Sequence, residues 1–447
     1  MKEFDLALQT LDDIIDNKTP FNEALRKIFQ TQIDLRPYRG TVAGMVGCEL
    51  RHHLLFEYLT KDFADYTAAD KRALALALAD LYFFKHIAQA DMLAALGEKL
   101  DATKMEEAKP LLEKAGQEGP FIPENIVKHS NLYLSLRYNT PEWVLKIFQH
   151  YGYGVTYKVL RKNNRPFATT VRVRTSVMSV DDVKAKNPDL FVDTGVDGVL
   201  LYQGKESLRR NPLMKNGTLF AEKPVTKELI DKYRITEPKQ LMIYDANPDG
   251  SLLCEAVENY GSAIGMNLAV PSLDHYASVS RLIHNKGLHN VNFFAAKLEN
   301  ASLLASVKEA SQDLVIAAPA SSHFDLIREQ PDYLLHFDKE SMDGLFAQEK
   351  QSLEALAPFV AEGGTLIYAI YTISKKEGHQ TIIDFLANHP DFQFVEENQR
   401  FPYDAGETAF YYAVLHKATP VAKATPNLNP MVSEGMTPEF QLGADAK

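Results

Sequence analysis

Apolar residues recur at spacings of three and four through the first third of the chain, and short β-branched runs take over afterwards. From Phe4 to about His150 the pattern is helical: LALQTLDDII carries the helical period, and RALALALADLYFFKHIAQADMLAALG is a long stretch of strong helix formers. An all-helical bundle is predicted there. The charged segment from Ala108 to Pro123 contains glycine and proline and reads as a link to a last helix around Pro141 to Tyr151. From about Gly154 the runs TTVRVRT, QLMIYD, SAIGMNL, NVNFFAA, DLVIAAP, GGTLIYAIYT and FYYAVLHK read as strands. Helical segments such as LLCEAVENYG, SLDHYASVSRLIHNKG and FAQEKQSLEALAPFV separate many of them. This alternation predicts a mostly parallel sheet with helices on both faces, whose ligand crevice lies at the carboxyl ends of the strands near the switch point.

Composition narrows the class. With 447 residues, 45% of them apolar, the chain has material for two or three cores. Its two cysteines, Cys48 and Cys254, are too few for a disulfide framework and read as small buried hydrophobes. The acidic, amphipathic MKEFDLALQTLDD does not read as a signal peptide, and no run approaches the ~18 apolar residues of a membrane span. A soluble, cytoplasmic protein without a membrane partner is expected. His52 and His53 have no companions at metal-ligand spacing, so no metal is expected there. The tail from Ala418 to Lys447, with four prolines among small polar residues, is expected to be disordered.

The net charge of -11 argues against a chain coated in nucleic acid, yet charge is uneven. Between Tyr151 and Gly217 stand twelve lysines and arginines and six carboxylates, a local net of +6. Arg161, Lys162 and Arg165 begin this basic stretch. Arg172 and Arg174 alternate with Val171 and Val173 in a strand pattern, which would set both guanidiniums on one face, where phosphates could meet them.

The most specific motifs lie between Asp313 and Leu386: LVIAAPASS, IREQPD and GGTLIYAIYTISKKE. They resemble the RsmB/Sun family of rRNA cytosine-5 methyltransferases, whose stretches run DAPCSGTG, IRRHPD and GGTLVYATCSVLPEEN. The resemblance extends over most of residues 4 to 417. FDLALQTLDDIIDNKTPFNEALRKIF and YRGTVAGMVGCELRHHLLFEYL look like the first helices of a NusB-like domain. YNTPEWVLKIFQHYG is similar to the family's linker helix, RPFATTVRVRTS to the strand entering its catalytic module, and ETAFYYAVLHK to its closing strand. The resemblance implies a NusB-like helical domain over 1–135, a linker helix and small RNA-contacting subdomain over 136–225, a Rossmann-like methyltransferase domain over 226–417 and a tail over 418–447. It also implies RNA, rRNA in particular, as partner and S-adenosylmethionine as cofactor.

The departures from the family carry the chemistry. Its two cysteines fall on Ala320 and Tyr371. Carbon 5 of cytosine is a weak nucleophile until a thiolate adds at carbon 6, and a second residue helps expel that thiolate after methylation. A thiolate is soft and readily ionised; alanine has no such chemistry, and a tyrosine hydroxyl, with an ordinary pKa of about 10, is a hard substitute. The family's mechanism cannot run on these residues. In YDANPDGS, aligned with the cofactor loop LCAAPGGK, Pro248 and Gly250 are in place. Asp249 replaces a glycine, Ser251 replaces the lysine, and the motif acid aligns on Ile243, with Asp245 as a neighbouring substitute or a turn cap. The acid expected to end the second strand is Asn267, the adenine-side acid falls on or near Ala296, and the aspartate before the fourth-strand proline is Ala317. At about 1.5–3 kcal/mol for each lost charged hydrogen bond, three or four losses would erase a micromolar site. Asp245, Pro248, Gly250 and Asn267 remain as vestigial cofactor positions.

Because nucleophile and cofactor acids are missing together, the chain reads as a catalytically degenerate member kept for RNA binding or ribosome assembly. Two alternatives stand beside this reading. One is an active S-adenosylmethionine enzyme with altered chemistry around Tyr368, Tyr371, Asp325 and His323. The other is a protein-binding scaffold with an inert cleft.

Overall fold

The computed structural model describes every residue except 32, 119–121, 166, 168, 205–206, 237–238, 285–288, 299–305, 405–407 and 419–447. The tail beyond Ala418, and Lys205 and Glu206 of the basic stretch, therefore lie outside the described residues.

The amino-terminal third is helical, as its periodicity predicts. Its principal helices are Lys2–Asp16, Phe21–Thr31, Arg39–Leu50, His53–Thr60, Ala68–Ala79, Gln89–Gly97 and Ala102–Glu118. They close on one core that includes Phe4, Leu11, Ile14, Met45, Phe56, Leu74 and Leu78. The helix from Ala68 starts at a capping box: the Asp70 amide donates to the Thr67 hydroxyl at 3.1 Å, and the Thr67 amide donates to the Asp70 carboxylate at 2.8 Å. The long run RALALALADLYFFKHIAQADMLAALG is not one helix. It breaks at Lys85, which is left-handed at φ 52, while the buried Asp80 carboxylate accepts from the amides of His86 and Ile87. The expected link over Ala108–Pro123 is corrected as well, because residues to Glu118 are helical and Pro110 lies inside that helix. Proline there costs about 3 kcal/mol in propensity; strong helix formers around it and burial of Ala108, Leu112 and Ala115 offset the loss.

Three helices, Asn131–Tyr138, Glu142–Gln149 and Tyr153–Asn163, lead into a small antiparallel sheet. Its strands are β1 (Thr170–Val173), β2 (Phe191–Asp193), β3 (Val199–Tyr202) and β4 (Leu219–Ala221), in the order β2-β3-β1-β4. A second sheet follows, made of β5 (Gln240–Asp245), β6 (Gly265–Val270), β7 (Val291–Ala295), β8 (Gln312–Ala318), β9 (Val360–Ile370), β10 (Phe392–Arg400) and β11 (Phe410–Lys417). Its order is β10-β11-β9-β8-β5-β6-β7. Strands β5 to β9 pair in parallel, and β11 runs antiparallel to both β9 and β10. Apolar clusters cover both faces, which is why these strands read as continuous apolar runs. The bundle docks on the loops of this sheet: the Phe21 amide donates to Asp332 at 2.8 Å, and the His336 ring meets the Ile14 carbonyl at 3.0 Å. No helix among the described residues is long and apolar enough to cross a membrane.

Candidate functional site

The chain leaves β5 toward β6 on one side, while β8 pairs with β5 on the other, so the switch point lies at the carboxyl ends of β5 and β8. The loop Ala246–Gly250 crosses this point, anchored by the Ala246 amide donating to the Ala318 carbonyl at 2.8 Å. Gly250 closes the loop at φ +60 and starts the helix Ser251–Tyr260; a Cβ there would come within 2.6 Å of Val279. Both the left-handed backbone and the close approach demand glycine. Pro248 and Asp249 are exposed on the loop. Asp245 points inward: it is fully buried, and one carboxylate oxygen accepts from the Asn247 amide at 2.9 Å and its side-chain nitrogen at 2.7 Å. Burial, reinforced by Asp249, pushes the Asp245 carboxyl up to about 8. In this setting Asp245 is a turn cap.

Asn267 requires a correction. It sits third in β6, paired in register with Met242, three residues before the strand ends at Val270. Its amide donates to Gln312 at 3.2 Å and its oxygen accepts from Asn292 at 3.1 Å, both near the amino ends of their strands. It therefore belongs to the end of the sheet opposite the crevice. The residues that do line the crevice there are Pro271 after β6 and Lys297 after β7.

Two cavities flank the loop. The first, about 260 Å³, takes the cofactor position and is walled by Tyr244, Ala246, Pro271, Lys297, Ala320 and Gln348 among others. Among the described residues none of its lining is a carboxylate, and the one charged side chain there, Lys297, is exposed; Glu299, two positions on, lies outside the described residues. Ala296 and Ala317 are buried in the core beside it. S-adenosylmethionine carries a sulfonium and an ammonium against one carboxylate, so the described part of this wall, with a lysine and no acid, does not fit it.

The second cavity, about 430 Å³, lies across the loop and includes Glu222, Lys223, Asp249, His323, Glu329 and Tyr371 in its lining. Tyr371, at the second family cysteine position, is buried, and its hydroxyl lies 2.9 Å from the Thr226 hydroxyl. Burial pushes its pKa upward, so the phenol stays protonated. The His323 ring is stacked nearly parallel to Tyr371 at 5.8 Å, and the Lys223 ammonium stands 4.7 Å from the tyrosine ring centroid. Lys223 is ion-paired with the buried Asp325 and lies 3.4 Å from Glu329. Burial disfavours both charges, but their mutual attraction prevails: the Lys223 pKa is raised and that of Asp325 lowered. Tyr368 is separated from Tyr371. It packs on the opposite face of the sheet and donates to the Glu377 carbonyl at 2.9 Å. Lys223, Glu222 and Glu329 were not singled out from sequence, because nothing local marks a lysine before a proline as a buried partner of a residue 102 positions away.

The basic candidates divide. Arg161 and Arg165 are exposed, and Lys162 is partly so. Arg172 and Arg174 are each only 5% exposed, which corrects the expectation of a phosphate-facing strand. The face they share is covered by the helix Ser251–Tyr260: the Arg172 Nε donates to Glu255 at 2.9 Å, with further bonds to the carbonyls of Val173 and Gly198, and the Arg174 guanidinium lies 5.5 Å from the Phe220 ring. Of the bundle histidines, His52 stacks on Phe83 at 3.6 Å, and His53 is bracketed by Glu49 and Glu57.

The strand order, the reversed β11 and the crevice at β5 and β8 define an α/β methyltransferase fold preceded by a helical bundle. Comparison with known proteins agrees. No family model matches the chain. The Probable ribosomal RNA small subunit methyltransferase B of Bacillus subtilis (strain 168) is 22% identical over 417 residues, covering 87% of this chain and 89% of that protein. Ribosomal RNA small subunit methyltransferase B of Erwinia tasmaniensis is 35% identical over 112 residues, 23% of this chain and 26% of its own length. Among solved structures, PH0851 superposes with a TM-score of 0.73 at 16% identity, over 93% of this chain and 98% of its own, a likeness of fold. The chain is a divergent relative of the RsmB/Sun rRNA methyltransferases that lacks both family cysteines.

Proposed function

We propose that this protein is a catalytically degenerate RsmB-like methyltransferase that acts in the cytoplasm as an RNA-binding factor, with ribosomal RNA or an assembling ribosomal subunit as its partner. The observation that carries the reading is the joint state of the two cavities. On the cofactor side no acid stands among the described lining residues and Ala320 is in the wall; on the substrate side Tyr371, Lys223 and His323 line the pocket, with Lys223 ion-paired to the buried Asp325. An enzyme that had only moved its nucleophile would still need groups for the sulfonium cofactor. Loss of both sets, with the sheet core intact, is what release from catalysis leaves.

RNA binding rests on the exposed Arg161 and Arg165 and the partly exposed Lys162. The test is fluorescence anisotropy with ribosomal RNA fragments: reversing Arg161 and Arg165 to glutamate abolishes binding under this reading. If that double variant binds as the unaltered protein does, or if the unaltered protein does not bind RNA, the scaffold reading takes its place.

A further inference from the structure

Where the helical bundle, the helices that follow it and the turn after β8 converge, the structure holds a narrow pocket. Arg51 enters it just after the helix Arg39–Leu50, Tyr138 and Asn139 at the end of the helix Asn131–Tyr138, Asn163 and Asn164 at the end of the helix Tyr153–Asn163, and Gln330 from the turn. Among the described residues no carboxylate lines it.

Two features of this pocket are unbalanced. Arg51 is partly buried and, among the described residues, has no acidic partner; its guanidinium reaches the Arg328 carbonyl, at 3.5 Å from each terminal nitrogen. Burial, with repulsion from the Arg328 guanidinium, weakens the hold of Arg51 on its proton. A cation taken from water without a counter-charge is costly, and a second cation beside it makes it costlier. Asn163, 7% exposed, has a side-chain nitrogen with no hydrogen-bond partner among the described residues. A desolvated cation and an unused amide donor on one pocket call for the same ligand atom, an anionic oxygen.

The size of the pocket limits that ligand. Its volume of about 20 Å³ admits one water-sized group, which excludes a nucleoside and suits a single phosphate oxygen with the rest of the phosphate outside. The exposed Arg161 and Arg165 flank Asn163 and Asn164 in the chain, and the Arg328 Nε donates to the Arg165 carbonyl at 3.1 Å, which ties this basic turn to the seam. We propose that the seam binds a phosphate oxyanion of an RNA backbone, with Arg51 and Asn163 as its ligands. This rests on the RNA-binding reading above and adds that the backbone is held across the junction between bundle and methyltransferase fold.

The test pairs RNA anisotropy, using a short fluorescein-labelled oligoribonucleotide, with thermal melting in inorganic phosphate. Arg51→Gln is expected to weaken RNA binding about tenfold and to reduce the slope against log salt by about one. Asn163→Leu should weaken it less, with the slope unchanged. In phosphate-free buffer Arg51→Gln should melt at or above the temperature of the unaltered protein, since it removes an uncompensated charge; this separates lost contact from lost fold. If RNA binds the unaltered protein and both variants equally, the seam proposal is overturned while the RNA reading stands. If RNA does not bind but phosphate raises the melting temperature of the unaltered protein and not of Arg51→Gln, the anion site stands with free phosphate as its source, and the RNA reading falls. If neither ligand has an effect, both are overturned.

Discussion

The two cavities on either side of the loop Ala246–Gly250 depart from the family motifs in opposite ways. On the cofactor side the groups are small: motif alignment puts Ala317, Ala320 and a position on or near Ala296 where the family has charged or nucleophilic side chains. On the substrate side, groups have been enlarged: Tyr371 fills the position of a small thiol, and Lys223, Asp325 and His323 are engaged with one another around it. Truncation removes the energy of binding and leaves the fold untouched, because small apolar residues pack well beside a sheet. Filling adds new buried polar groups, which the fold must then keep paired. The substrate side should therefore be the one on which stability depends.

The largest effect expected of that difference is at Lys223. Lys223→Met leaves the buried Asp325 with only the His323 ring, at 3.5 Å, beside it and should destabilise the protein by about 3 kcal/mol in denaturant unfolding. Adding Asp325→Asn should restore most of that loss. A Lys223→Met variant as stable as the unaltered chain would show that the pair contributes nothing, and the contrast between the cavities would fail.

Between the cavities, Gly250→Ala forces alanine into a left-handed backbone against Val279 and should destabilise by about 2 kcal/mol. A loss of under about half that amount would mean the loop relaxes readily and separates the cavities only loosely.

Asp245 offers an effect confined to a pH window, with a defined sign. Its carboxyl is raised in the folded state from an ordinary 3.8 to about 8, so the native state holds a proton that the unfolded chain releases. The contribution is fully present below pH 3.8 and is lost as pH rises toward 8. Asp245→Asn should remove that part of the pH dependence and melt higher than the unaltered protein at pH 9. A profile between pH 4 and 8 that the substitution does not change would mean that Asp245 is ionised and open to solvent, and the cofactor side would then retain an acid.

The sheet and bundle were legible because period and composition changed near Gly154, and continuous apolar runs such as DLVIAAP can only be strands or helices buried on both sides. The substitutions at Ala320 and Tyr371 were legible through motif alignment. What sequence did not show was which partner covers a polar face. Alternation put Arg172 and Arg174 on one side of a strand, but a helix about 80 residues later decides whether that side meets water. Asn267 was assigned three residues from the true strand end, since apolar β6 carries no mark of where it stops. Lys223 and Arg51 matter only through residues distant in the chain, so no local pattern identifies them.

The central claim, a methyltransferase cleft without its cofactor site, is met most directly by calorimetric titration with S-adenosylmethionine. Protein should be concentrated enough to reveal a dissociation constant of about 100 μM, roughly -5.5 kcal/mol. The cavity lined by Lys297, alanines and glutamines predicts no heat of binding. Clear stoichiometric binding would contradict it and return the chain to the working enzymes.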